Sequence, residues 1–387
     1  MDELLSNYRL SIKDCEEIKL IASKLQPYKD LEFIVNIDTA KKLPYHPQPY
    51  KVNNKSTCYS VHNGQTKLLM NEIVAIINTL LINPNLEHIV YAGAAVGSHI
   101  WALVKFFPNL KFYLYDTAQF DKDLRKLKNV QIFEEYFTHE TAHKWKIDNV
   151  MFISDIRTGS VGEVEGTDEI FEKCIQEDME LQKQLVLIMN PCASLLKCRF
   201  PFINNPDTLN DGILNDDKII DVNTVYFEGE FLYQPFSRAN STESRLYVVK
   251  DAKMRNYSAK DYEQVYFYIN TILREWYMSD IDTKLLNTIR AKTELKNICN
   301  CYDCSIMIKI FETYCSLNPQ MMLNIVNCIN ILYDATHQRI PAPHGHIGLM
   351  VEYRPYLLTA QDQIKFNRDK KEKIWSSHPI PSSKKYR

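Results

Sequence analysis

The sequence predicts an α/β fold built on a mostly parallel sheet with helices on both faces and further helices toward the chain ends. Three observations carry this. Apolar runs of strand length recur at His88 to Ala92, Lys111 to Tyr115, Val130 to Phe133 and Val150 to Ser154. Stretches with helical spacing separate most of them, and strands divided by helices run parallel because each crossover returns the chain to the same end of the sheet. The first run opens directly into the small-residue turn Gly93-Ala94-Ala95-Val96-Gly97, the kind of junction at which such sheets bind ligands.

Taken in order, residues 1–65 read as irregular apart from a helix over Asp14 to Leu25, with a polar loop from His46 to Asn63. Leu68, Leu69, Ile73, Ile76 and Ile77 recur at the helical period and predict a helix over Lys67 to Leu81. The strand His88 to Ala92 leads into a helix over Ser98 to Phe107, and the next three strands are the apolar runs already named. A helix over Asp168 to Gln182 and a strand over Leu185 to Met189 follow. Thr224 to Glu230 and Arg245 to Val249 are expected to face each other across the turn-rich Gln234 to Ser244, closing one edge antiparallel. Helical patterns cover Tyr262 to Trp276, Thr283 to Leu295, Ser305 to Tyr314 and Gln320 to Tyr333. Beyond His337 the chain turns proline-rich and ends in a basic tail. The division is an N-terminal extension (1–66), a core (67–250), C-terminal helices packed on it (251–335), and an arm with the tail (336–387).

At 387 residues, 45% hydrophobic and 24% charged, the chain has ample apolar material for a core, which excludes a disordered protein. Its 46 basic and 48 acidic residues leave a net charge of -2, so nucleic-acid affinity has to come from a local patch. Lys365 to Arg387 supply one, with eight Lys/Arg against Asp369 and Glu372. No run reaches the roughly 20 apolar residues of a membrane helix, and Met1-Asp-Glu-Leu-Leu lacks the pattern of a signal peptide. An intracellular protein without a membrane partner is expected. Its ten scattered cysteines are then expected to be reduced thiols. Cys299, Cys301 and Cys304 cluster, but no second CxxC or histidine pair completes a zinc spacing, so buried thiols at a helix start are expected and no metal.

The turn after the first strand lacks the middle glycine of G-x-G-x-x-G, which argues against a dinucleotide and for a ligand carrying a carboxylate. Asp116 follows the next strand, where an acid can accept hydrogen bonds from ribose hydroxyls. Lys67, Asp155, Lys197 and Glu243 stand at the start of a helix and near strand ends, where open α/β sheets place their chemistry. His139-Glu140-Thr141-Ala142-His143 matches H-E-x-x-H, but it falls between strands of the sheet with no third ligand, so a zinc peptidase site is not expected.

Several blocks together resemble a known family. They are Ala40-Lys41-Lys42-Leu43-Pro44-Tyr45, Gly64-Gln65-Thr66-Lys67-Leu68-Leu69, Val90 to Ile100, Ile153-Ser154-Asp155-Ile156-Arg157, Asn190 to Phe202, Gln234-Pro235-Phe236 and Glu243-Ser244-Arg245-Leu246. In this order they are similar to the poxvirus cap-specific mRNA nucleoside 2′-O-methyltransferases, which also serve as the small processivity subunit of the viral poly(A) polymerase. The resemblance implies a Rossmann-like methyltransferase sheet, S-adenosylmethionine as methyl donor, no metal, capped mRNA as substrate and a poly(A) polymerase catalytic subunit as partner. It implies residence in the host cytoplasm, at viral factories, and in the virion. It further implies a catalytic tetrad of Lys67, Asp155, Lys197 and Glu243, with Lys197 as base, and donor contacts at Gln65, Tyr91, Gly93, Gly97, His99 and Asp116.

For the cap, the resemblance implies contacts at Phe202, Arg199 and Asn204 and a second stacking ring at Phe33, with Tyr28 as the alternative. A positively charged methylguanine held between two rings is a cation–π arrangement. The chain departs from the family in having Asn204 in place of an acid, Ala118 in place of an arginine, and no secure counterpart of the second acidic partner near Cys301 to Asp303. These changes bear on cap selectivity more than on methyl transfer. The alternative reading is a non-catalytic RNA-binding scaffold of a poly(A) polymerase.

Overall fold

The computed structural model describes residues 34–35, 37–38, 64–158, 168–200, 223–237, 241–267, 269–270, 274, 279, 281–296 and 298–336. The expected helix at Asp14 to Leu25, the His46 to Asn63 loop, and the arm and basic tail lie outside them. The order is β1 (Ile34–Val35), α1 (Gly64–Ile82), β2 (His88–Ala92), α2 (Ile100–Phe106), β3 (Lys111–Tyr115), β4 (Val130–Phe133), α3 (His139–Lys144), β5 (Val150–Ser154), α4 (Asp168–Met189), β6 (Ala193–Cys198), β7 (Asn223–Phe227), β8 (Glu230–Leu232), β9 (Ser244–Val249), β10 (Met254–Ser258), α5 (Ala259–Phe267), α6 (Thr283–Lys292), α7 (Tyr302–Leu317) and α8 (Ile325–Thr336).

Eight strands form one sheet in the order β1-β8-β9-β6-β5-β2-β3-β4. The five from β6 to β4 run parallel, and β9, β8 and β1 continue the β6 edge antiparallel. β5 is buried along its whole length and β2 everywhere except His88, as expected of parallel strands covered on both faces. The helix contacts fall into two sets: α1, α2, α7 and α8 touch one another, and α3 packs on α4. Right-handed crossovers to opposite sides of β2 put these sets on opposite faces.

By length and composition α1 could cross a membrane, contrary to the expectation that no run would qualify. In this fold it is a core helix, largely buried between the sheet strands β6 and β9 and the C-terminal helices. Its buried Asn71 donates to the carbonyl of Tyr233 at 2.6 Å, which fixes it to the segment after β8.

Two sequence expectations are corrected. Leu185 to Met189 is the last part of α4 and not a strand: Leu185, Val186 and Met189 are buried while Leu187 is 58% exposed, a helical pattern. Asn190 ends the helix in a left-handed conformation (φ 48°), its N–H bonded to the Val186 carbonyl at 2.8 Å, and Pro191 follows. The strand of the sheet is Ala193–Cys198. Nor do Thr224 to Phe227 face Arg245 to Val249; of the expected range only Glu230 does, opposite Tyr247. β7 pairs with β10 in a separate two-stranded sheet, while β9 lies antiparallel between β6 and the short β8. The expected helix over Tyr262 to Trp276 is borne out in its described part: Ala259–Phe267 is helical, and so are Ile269, Asn270 and Arg274.

Candidate active site

Strand register brings the site together. Tyr115, Ala92, Ser154 and Leu196 stand level across β3, β2, β5 and β6. One residue further on, at the carboxyl edge, come Asp116, Gly93, Asp155 and Lys197. Antiparallel β9 places Arg245 opposite Lys197, with Glu243 just ahead of the strand. β5 has ended at this level, so Lys197 has no strand partner on that side. Gln182 of α4 takes over: its Oε1 accepts from the Lys197 N–H at 3.2 Å and its Nε2 donates to the Lys197 carbonyl at 3.1 Å.

The four tetrad residues converge. Lys197 Nζ lies 2.8 Å from Asp155 Oδ1 and 3.7 Å from Glu243 Oε2, and Lys67 Nζ donates to Glu243 Oε1 at 2.7 Å. Their side chains are between 13% and 20% exposed, open enough to be reached and dry enough for their charges to interact strongly. Arg245, only 2% exposed, donates to Asp155 Oδ1 at 2.6 Å and approaches Glu243 Oε1 at 3.3 Å. Arg157 reaches Glu243 Oε2 at 3.3 Å and buried Asp178 at 3.7 Å. Reading of the residues assigned no role to Gln182, Arg245 or Arg157, although the last two lie inside the blocks that carried the resemblance.

Burial pushes the Asp155 carboxyl up, but Lys197 and Arg245 outweigh it and hold the group below its ordinary range. Burial acts on Glu243 in the same sense, and Lys197, Lys67 and Arg245 hold it well below. Lys67 falls under its ordinary value, first because it is buried, with Glu243 restoring part of the loss and Arg245 adding to it. The centre, Lys67, Lys197 and Arg245 with Asp155 and Glu243, has three cations and two carboxylates. Loss of one lysine proton leaves it balanced.

Gly93 and Gly97 both have positive φ, 77° and 73°. A Cβ on Gly93 would lie 2.8 Å from the Asp155 carbonyl carbon and 2.9 Å from the Ile156 nitrogen, so the bare Cα lets the turn press against the backbone that carries Asp155. A Cβ on Gly97 would meet the Ala94 carbonyl oxygen at 2.6 Å. Asp116 is half-buried and accepts from the Ala95 N–H at 3.0 Å and the Ala118 N–H at 2.8 Å, so it ties the turn to the end of β3.

Tyr91 and His99 lie inside the protein, 1% exposed each. Their side chains meet on one oxygen of buried Glu72 in α1: the Tyr91 hydroxyl donates to Oε1 at 2.7 Å, and His99 Nε2 lies 3.1 Å from it. Gln65 Oε1 completes the network, accepting from the Ser98 hydroxyl at 3.0 Å and the His99 N–H at 3.3 Å and lying 2.8 Å from His99 Nδ1. These residues brace the turn from within, and Glu72 is a member the sequence reading missed.

Of the expected cap residues only Arg199 is described, and its guanidinium is paired with Glu172 of α4. Phe202, Asn204, Phe33 and Tyr28 lie outside the described residues. Asp303, at the end of the stretch where the resemblance implies a second acidic cap contact, is 4% exposed and occupied by Tyr233 and Arg274. H-E-x-x-H does form a helix, α3, but His139, Glu140 and His143 are all exposed on it.

A family model described as the poly(A) polymerase regulatory subunit matches residues 27–299, a span that holds all four tetrad residues. A cap-specific mRNA (nucleoside-2′-O-)-methyltransferase of Fowlpox virus (strain NVSL) is 32% identical over 238 residues, covering 57% of this chain and 70% of that protein. The protein of the same name from Myxoma virus (strain Lausanne) is 25% identical over 332 residues, 81% of this chain and 91% of its own. With a parallel sheet of methyltransferase type and a match over most of its length, the chain belongs to the poly(A) polymerase regulatory subunit family.

Proposed function

We propose that the chain is a cap-specific mRNA 2′-O-methyltransferase, which methylates the ribose 2′-hydroxyl of the first transcribed nucleotide of capped mRNA with S-adenosylmethionine as donor. The observation that carries this reading is Lys197 Nζ, 2.8 Å from Asp155 and level with Gly93 and Asp116 along one edge of the sheet. A ribose hydroxyl is a weak nucleophile and gains from a positioned base. In its neutral amine form, after an ammonium proton has left to solvent, Lys197 takes the hydroxyl proton on Nζ. Asp155 and Glu243 orient Lys197 and Lys67, Arg245 secures both carboxylates, and Lys67 keeps a positive charge beside the base.

The residues present fit the donor. Half-buried Asp116 suits ribose hydroxyls, and the positive-φ turn from Gly93 to Gly97 beside it leaves Val96 55% exposed at its tip. Gln65, Tyr91, Gly93, Gly97, His99 and Asp116 would hold the donor, directly or by shaping that turn. When bound, S-adenosylmethionine supplies an electrophilic methyl group on a sulfonium. Phe202 and Phe33 would stack on the methylated guanine, with Arg199 and Asn204 beside it.

Methyl transfer to capped and uncapped RNA of one sequence tests the reading. Transfer that needs the cap and falls on an unmethylated guanine cap is expected, and Phe202→Ala should erase that difference. Equal rates on all three RNAs would favour a general RNA 2′-O-methyltransferase, and no transfer by folded protein would leave only a binding role.

The family description favours a second role on the same chain, regulation of a poly(A) polymerase catalytic subunit, with the basic segment Lys365 to Arg387 adding affinity for RNA. Both roles fit a protein acting on viral transcripts in the host cytoplasm and the virion. Co-purification with that subunit, and longer tails in its presence, are the measurements.

A further inference from the structure

We propose that Cys299, Cys301 and Cys304 form a structural zinc site. The family match ends at Cys299, so most of the cluster lies beyond it. Cys299 lies in the connection before α7, Cys301 is the residue that caps α7, and Cys304 lies in its first turn. This spacing turns three sulfurs toward one point. All lie within 4.8 Å of one another, and the residues are at most 3% exposed. Sulfurs around one zinc stand about 3.8 Å apart, as Zn–S bonds of about 2.3 Å in a tetrahedron require, so only a small inward movement is needed.

With a cation bound, two features support the thiolates. The Cys301 N–H donates to Cys299 Sγ at 3.2 Å, the kind of outer contact that steadies a metal-bound sulfur. The N-terminus of α7, a helix of 16 residues, adds a favourable field. Uptake of Zn(II) breaks three S–H bonds and forms three Zn–S bonds, and the protons leave to solvent. A divalent ion then leaves the centre at -1, whereas Cu(I) would leave -2 in a buried place, which favours zinc. No fourth cysteine, histidine or carboxylate joins the cluster among the described residues. A small ligand therefore completes the tetrahedron, and a chelator should remove the ion more readily than from a four-cysteine site.

The ion would lock the segment that holds Asp303, whose carboxylate accepts from Tyr233 and Arg274 and so ties α7 to the segment before Glu243. Metal analysis of the full chain, purified reduced and without chelator, should give one zinc per chain. Cd(II) titration should produce a sulfur-to-metal charge-transfer band saturating at one equivalent. Cys304→Ser should weaken that binding roughly tenfold or more. Cys315→Ser is the control, because Cys315 and Cys328 also lie close, 3.6 Å between sulfurs, without a third thiol among the described residues. No stoichiometric zinc after incubation with Zn(II), or a band that disappears with Cys315→Ser and persists with Cys304→Ser, would overturn the site. The wild-type measurement decides even where a variant fails to fold.

Discussion

Arg245 donates to Asp155 Oδ1 at 2.6 Å, and the same oxygen lies 2.8 Å from Lys197 Nζ. Two cations directly opposite each other on β6 and β9 would repel, and the shared carboxylate makes that register tolerable. Removing the buried guanidinium leaves two part-buried carboxylates short of a partner. Arg245→Met should therefore cost about 3 to 5 kcal/mol of stability, the range for breaking a buried pair, and lower methyl transfer more than donor affinity. Chemical denaturation with donor titration checks both, and unchanged stability would mean that Lys67 and Lys197 suffice to balance the carboxylates.

Lys197→Ala should abolish methyl transfer while leaving S-adenosylmethionine binding nearly intact. Asp116→Ala should weaken S-adenosylmethionine binding as its primary defect, with the rate recovering at saturating donor. Calorimetric donor affinities beside single-turnover rates separate the two. A Lys197→Ala protein retaining more than a small fraction of activity would move the role of base elsewhere, with Lys67 the next candidate.

Stability should rise with pH in two separate windows, one acid and one alkaline. Asp155 and Glu243 have folded values below their ordinary 3.8 and 4.5, so the native state binds fewer protons there than the unfolded chain. Their contribution is complete above about pH 5 and is lost as pH falls through the folded values. Lys67 is lowered from 10.5, so its folded form also binds fewer protons, and stability should rise with pH between its folded value and 10.5. Denaturation curves across pH should show a flatter acid limb in Glu243→Gln and a lost alkaline rise in Lys67→Met.

Gly93→Ala places a Cβ 2.8 Å from the Asp155 carbonyl carbon at a φ of 77°. The left-handed conformation alone costs about 1 to 2 kcal/mol, and the contact adds to it by displacing Asp155 from Lys197. Methyl transfer should fall further than the loss of folded protein explains. A fully active Gly93→Ala would show that the turn can move without carrying Asp155.

Glu72→Leu removes the oxygen that Tyr91 and His99 share. Leaving buried polar groups unpaired costs about 1 to 3 kcal/mol, and the turn they brace should bind S-adenosylmethionine more weakly. Donor affinity is the sensitive readout, since Glu72 is not among the residues that contact Lys197.

Local pattern made the central strands legible. His88 to Ala92, Lys111 to Tyr115, Val130 to Phe133 and Val150 to Ser154 have the boundaries expected of them, because a buried parallel strand is a short apolar run between breakers. The same rule misread Leu185 to Met189, since five apolar residues fit a strand or the end of a buried helix equally well. The nine residues from Asn190 to Cys198 contain the true stop, Asn190-Pro191, whose meaning depends on the left-handed turn that the fold imposes.

The sequence by itself determined the class of sheet, the turn after β2, and the four charged residues that the family blocks single out. The tertiary structure decided how those charges are held: Arg245 on Asp155 from 90 residues away, Gln182 on the backbone of Lys197, and Glu72 beneath Tyr91 and His99. Periodicity and capping are local and can be read along the chain. A buried charge finds its partner through strand register and helix packing, and these exist only once the sheet has formed.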